Sequence, residues 1–310
     1  MRNATEIKFP HYTLLTVSNP ASLDLDELAR RWHFHPLDLQ EAGTLAKRSR
    51  LETYAEYACL VTLWPTYRRS TRDIKPVVLT FFIRPDALIV LQRGTFPVFN
   101  EVIQRYAGSN ELRTALGERS PERLLYEILN QLYQSLFPMI DHLIDDCDVI
   151  EQEIFASHER QMISHILAIR RNITDVRKIL QVHKSVLKRL AAFLTENPRY
   201  AMRSTDRYFG DLIDYAKEDW DTLENLKERI EALQQTNESQ ISFRLSDIMK
   251  TLTIISVFTF PLTLVASTFA LNTEGAMPWL HDPNGFWYVV GIQGALAAVM
   301  FLVFKRKRWF

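Results

Sequence analysis

The last sixty residues constrain this chain most. Residues 251–273 carry no charged side chain, and neither do residues 283–304. Each run is long enough for a helix to cross a hydrocarbon core, which takes about 20 apolar residues. The link between them, Glu274-Gly275-Ala276-Met277-Pro278-Trp279-Leu280-His281-Asp282-Pro283-Asn284, holds helix-breaking Gly and Pro. Trp279 and Trp287 suit a membrane interface. Residues 249–310 are therefore expected to form a two-helix membrane hairpin. Directly after the second run comes Lys305-Arg306-Lys307-Arg308, and an excess of Lys and Arg beside a span marks the cytoplasmic face. Two spans return the chain to its starting side. The opening Met1-Arg2-Asn3-Ala4-Thr5-Glu6 lacks the character of a secretory signal, so both termini are expected in the cytoplasm.

Bulk charge narrows the possible partners. Lys and Arg number 37, Asp and Glu 37, so the net charge is zero and no basic field points to nucleic acid. Cys59 and Cys147 are the only cysteines; in a reducing compartment they predict no disulfide, and they lack metal-finger spacing. There is no Gly-rich phosphate loop, no Gly-x-Ser-x-Gly and no His-Glu-x-x-His, so no enzyme active site is expected.

Upstream of the hairpin the pattern is α+β. Residues 12–17, 56–64, 77–83 and 87–92 are rich in β-formers and read as strands, the last two joined by the turn Arg84-Pro85-Asp86. Ser22 followed by Asp24, Asp26 and Glu27 reads as a capped helix start, and Pro36 in His35-Pro36-Leu37 suits the first turn of another helix. An α/β domain over residues 1–120 is thus followed by a long-helix region over 121–248. There apolar residues recur at three and four from Leu125 to Ile144, and Pro138 is expected to kink or break that helix. Residues 161–194 read as one basic helix and 205–231 as an acidic one. Opposite charge favours their pairing, although solvated faces explain the charges equally well. From Leu223 to Leu252 a near-heptad apolar stripe runs without Pro or Gly. This predicts one helix of about 60 residues, about 90 Å long, that continues into the first span and calls for neighbouring copies as partners.

Candidate functional residues follow from the first span. Ser256, Thr259, Thr263 and Ser267 share one helical face, continued by Ser246, Met249 and Thr253. Such hydroxyls either bond their own backbone and glue helices together, or line an aqueous path. A path needs a ring of copies, because two helices cannot enclose one. The second span carries Gln293 and is otherwise apolar, as expected of a helix facing lipid. Farther upstream, Asp141, His142, Asp145 and Asp148 are of types that bind Zn²⁺ or Mg²⁺, or are an ordinary solvated acidic face.

The block Met249-Lys250-Thr251-Leu252-Thr253-Ile254-Ile255, then Phe260-Pro261-Leu262-Thr263, then Asn272 and Met277-Pro278, resembles the CorA family of divalent-cation transporters. The order of domains, His35-Pro36-Leu37 and the terminal basic cluster fit as well. The resemblance implies a homopentamer in the inner membrane, shaped as a cytoplasmic funnel, with first spans around a pore and second spans outside. Carried over by position, the pore-lining residues are Ser246, Met249, Leu252, Ser256, Phe260, Thr263, Ser267 and Asn272, with Asn272 and Glu274 at the entrance. Met249, Leu252 and Phe260 would form apolar constrictions. The family's Gly-Met-Asn signature reads Ala270-Leu271-Asn272 here, so only the asparagine is kept. A ring of Asn272 carbonyls would hold the water shell of Mg²⁺, which releases its waters reluctantly. The loop from Glu274 to Pro278 is similar to that of the family's zinc-transporting branch, ZntB, so Zn²⁺ is the second candidate. Divalent cations are then the substrate and a possible regulator. The altered signature and the bulk of Phe260 also suit another role, a membrane-anchored interaction or regulatory protein with this fold and little transport.

Overall fold

The computed structural model describes residues 4–44, 46–109, 120–154, 159–200, 205–270 and 282–307. The N-terminal part is built on a six-stranded sheet. Its elements are β1 (Ala4–Lys8), β2 (Thr13–Ser18), α1 (Ser22–Trp32), α2 (Pro36–Ala42), β3 (Arg50–Thr53), β4 (Ala58–Arg68), β5 (Asp73–Ile83), β6 (Ala87–Arg93) and α3 (Pro97–Gly108). The strand order is β1-β2-β6-β5-β4-β3, antiparallel except for the β2–β6 pair. The central strands β4, β5 and β6 are buried along most of their length, which is why they read as continuous apolar runs rather than alternating ones. Pro65 faces Pro76 in the β4–β5 ladder. They lie beyond the last residues that pair with the outer neighbours, Val61 with β3 and Val78 with β6, so the missing N–H groups leave no ladder carbonyl unmet.

Local chemistry sets the helix starts. The cap of α1 is not Ser22: Asp24 Oδ2 accepts from the Ala21 N–H at 3.0 Å, reaching back one turn. At α2, His35 Nδ1 accepts from the Leu37 N–H at 3.2 Å and Pro36 takes the first turn as expected. The His35 N–H donates to Tyr57 Oη at 2.9 Å, and the Tyr57 hydroxyl donates to the buried Asp38 at 2.9 Å. His35-Pro36-Leu37 is thus a helix cap braced by a tyrosine.

The remaining helices are α4 (Pro121–Gln134), α5 (Phe137–Glu153), α6 (Glu159–Leu180), α7 (His183–Glu196), α8 (Thr205–Ala270) and α9 (Gly285–Arg306). The chain breaks between α4 and α5, with Pro138 in the first turn of α5, as its position predicts. The basic stretch is not one helix. It turns at Gln181 and Val182, and His183 opens α7 fully buried against Tyr133 and Trp64. The long helix exceeds expectation, running 66 residues straight through Pro261. Strands β1 and β3 and helix α3 complete the body and were not apparent from periodicity.

Among the buried ionisable groups of the N-terminal body are His183 and Asp219. His183 is hydrogen-bonded through Nδ1 to the Tyr133 hydroxyl at 2.9 Å, and burial pushes it down to about 4. Asp219, on α8, is pushed up to about 7 by burial first and by Glu218 second. The expected pairing of basic and acidic helices is present in Arg177 with Glu224 and in Arg170 with Glu231 at 3.8 Å. The chain divides into two compact units, residues 1–236 and 237–310, with the division inside α8.

Candidate ion pathway

In the C-terminal unit, α8 and α9 each contain a stretch long and apolar enough to span a membrane. Burial separates two faces of α8. Ile254, Phe258, Pro261, Leu262, Val265 and Phe269 are half-buried and form one stripe. On α9 the matching stripe is Val289, Gln293, Leu296, Ala297, Met300 and Phe304. Gln293 links the two, its Nε2 donating to the Leu262 carbonyl at 3.3 Å.

The residues expected to line a path lie on the other side. Ser246, Met249, Leu252, Ser256, Phe260, Thr263 and Ser267 are spaced by three or four, which keeps them on one face of an α-helix. That face points away from the half-buried stripe, and all but the half-buried Ser256 are exposed, Phe260 at 71%. Asn272 and Glu274, the expected entrance, lie outside the described residues.

Four hydroxyls in this stretch, those of Thr253, Thr263, Ser267 and Thr268, use their protons inward. Thr263 donates to the Thr259 carbonyl at 3.0 Å, and Ser267 to the Thr263 carbonyl at 2.8 Å. Thr253 and Thr268 do the same to Met249 and Leu264. Such back-bonding was one of the two sequence readings, yet it does not oppose the other. Once the proton is committed to the backbone, the hydroxyl oxygen presents only lone pairs outward. A row of acceptors complements the waters of a hydrated cation, which can only donate.

The upstream acidic set does not assemble. Asp141, His142 and Asp145 are exposed along α5, while Asp148 pairs with Arg229 of α8 at 2.6 Å, joined by Glu151. Among the described residues, no group of three or more His, Cys, Asp or Glu converges as metal ligands would. A guanidinium reaching across from another helix takes one of the suggested carboxylates, Asp148.

Sequence reasoning also missed the role of Gln293. It is half-buried toward α8 rather than turned to lipid. The available signal was a lone amide in an apolar run, which in hydrocarbon demands a partner.

The chain is 26% identical over 275 residues to the cobalt/magnesium transport protein CorA of Thermotoga maritima, covering 89% of this chain and 76% of that protein. It is 24% identical over 200 residues to the divalent cation transporter CmaX of Pseudomonas aeruginosa, covering 64% and 59%. In fold it is similar to the complete CorA magnesium transporter from Methanocaldococcus jannaschii, with a TM-score of 0.82 at 19% identity over 99% of this chain and 94% of that one. The ZntB cytoplasmic domain from Vibrio parahaemolyticus matches at a TM-score of 0.55 and 12% identity, over 76% and 89%. The family described as CorA-like Mg²⁺ transporter protein matches residues 11–306, nearly the full length, and this chain belongs to it.

Proposed function

We propose that this chain is a divalent-cation transporter whose path runs along the exposed face of α8, between copies arranged as a homopentamer in the inner membrane. The observation that carries the reading is the placement of Ser246, Ser256, Thr263 and Ser267, with Met249, Leu252 and Phe260, opposite the face that meets α9. The outward lone pairs suit a cation that keeps its waters, and the apolar side chains make constrictions that close by dewetting. Asn272 and Glu274 form the entrance, and the basic cluster at the end of α9 supports a cytoplasmic position for both termini. The relatives' roles in cobalt/magnesium and divalent-cation transport support transport over the membrane-anchored regulatory role.

Mg²⁺ is the first candidate substrate, because release of its waters is slow and no carboxylate lies within the span to replace them. Zn²⁺ is the second. The test is uptake of each ion into liposomes holding the purified full-length protein, with and without a pH gradient, beside Asn272→Ala. Uptake of Mg²⁺ that falls at least tenfold in the variant is the expected result. Zn²⁺ uptake with little Mg²⁺ would reassign the substrate. No uptake of either ion by folded, oligomeric protein would overturn the reading in favour of the regulatory one.

A further inference from the structure

The one amide side chain of α9 sits where α8 is least able to hold itself straight. Pro261 is the proline inside α8. It has no N–H, so the Val257 carbonyl one turn earlier loses its helical donor, and the ring crowds that carbonyl. Such a site bends readily in a membrane helix unless neighbouring helices restrain it. The next residue, Leu262, offers the carbonyl that accepts from Gln293 Nε2 at 3.3 Å. Leu262 and Gln293 are half-buried on the facing stripes of the two helices. One position before the proline, Phe260 stands exposed on the opposite face.

We infer that Gln293 is a positioning residue that latches the second apolar helix to the first at its proline hinge and thereby holds Phe260 at the constriction. Gln293 touches no cation; it acts through the backbone of Leu262. The inference rests on the transport reading for its functional half, while the Gln293–Leu262 bond stands independently of it. With the latch intact, the helix is held at Pro261 and the Phe260 ring keeps one distance from the path axis. Without it, the hinge moves, the ring is less confined and the apolar barrier is lower for part of the time. An apolar constriction is sensitive to such freedom because dewetting depends steeply on its width.

The test uses full-length protein in lipid and the variant Gln293→Met, which keeps the length of the side chain and removes its donor. Solid-state NMR with ¹³C in leucine carbonyls and ¹⁵N in glutamine side chains should show a carbonyl-to-amide contact in the wild type that disappears in the variant. Absence of such a contact in the wild type would overturn the latch. In liposomes, the maximal cation flux of Gln293→Met should rise about threefold or more, with the half-saturating concentration unchanged. The rise should vanish in a Phe260→Ala background, since residues that act as a unit are not additive. An unchanged or reduced flux, or an effect fully retained without Phe260, would overturn the positioning role. If the wild type carries no ion while the NMR contact is present, the transport reading fails, and the positioning role with it, but the bond remains.

Discussion

The two units of this molecule bury their apolar residues in opposite ways. In residues 1–236, Trp64, Phe81, Phe82 and Leu79 are enclosed completely, and Phe82 stacks on Phe34 at 4.2 Å. In residues 237–310, Leu252, Ile255, Phe260, Leu264 and Leu302 stay more than half exposed. The side chains are of similar kind. Burial yields about 25 cal/mol per Å² only where apolar surface leaves water, so the first unit can draw its stability from its own chain. The second has α8–α9 contacts and then requires lipid or further copies of itself. A division of this kind suits a body that folds in water and a part that folds in a bilayer.

The sharpest way to break this comparison is to cut one large side chain from each unit. Phe82→Ala should destabilise the N-terminal unit by about 3–5 kcal/mol, whereas Leu264→Ala should change stability by less than about 1 kcal/mol. Hydrogen exchange of the purified protein in detergent, read by mass spectrometry on peptides from each unit, measures both. Equal losses would mean that the units share one core.

Next in size is a pH response that comes from the N-terminal unit. Asp219 ordinarily titrates near 3.8 and is held at about 7 in the fold by burial. The folded state therefore keeps a proton that the unfolded state gives up, and stability falls as pH rises from about 4 to 7. Asp219→Asn should remove that loss and stabilise the protein by roughly 1–3 kcal/mol at pH 8. His183 works the other way. Burial lowers it from 6.5 to about 4, so the unfolded state takes a proton that the folded state refuses, and stability falls as pH drops from about 6.5 to 4. In the wild type the two slopes oppose each other between about 4 and 6.5. In thermal melting from pH 4 to 8, the slope over that interval should turn toward rising with pH in Asp219→Asn and toward falling with pH in His183→Gln, each relative to the wild type. The same slope in all three proteins would rule out this balance.

The smallest effect should come from the ion pairs along α8. Arg229 meets Asp148 and Glu151 where all three side chains are a third or more exposed, so Arg229→Gln should cost less than about 1 kcal/mol and lose even that in molar salt. A larger, salt-resistant loss would show that these pairs hold α8 more firmly than exposed pairs can.

What could be read in the sequence follows what each element carries within itself. The central strands announced themselves by dense β-branched and aromatic runs, Pro36 marked a helix start, and Pro138 marked a break. Strands β1 and β3 did not, because an edge strand is covered on few sides and its residues are mixed: only Ile7 is buried in β1 and only Leu51 in β3. The turn at Gln181 and Val182 has neither Gly nor Pro. It exists because His183 is drawn into contact with Tyr133 and Trp64, residues far away in the chain. The acidic set on α5 had ligand chemistry but not convergence, since helical spacing says nothing about a guanidinium arriving from α8.

The sequence by itself determined the two apolar runs, the unbroken helix leading into the first, and the polar and apolar residues sharing one face of that helix. Those properties depend on composition and on the 3.6-residue period, both local to one element. Only the tertiary structure decided which face of α8 meets α9, that Gln293 spends its amide on the Leu262 carbonyl, and that Asp148 pairs with Arg229. Each of these is a meeting of residues from different elements, and the period of one helix does not contain the position of another.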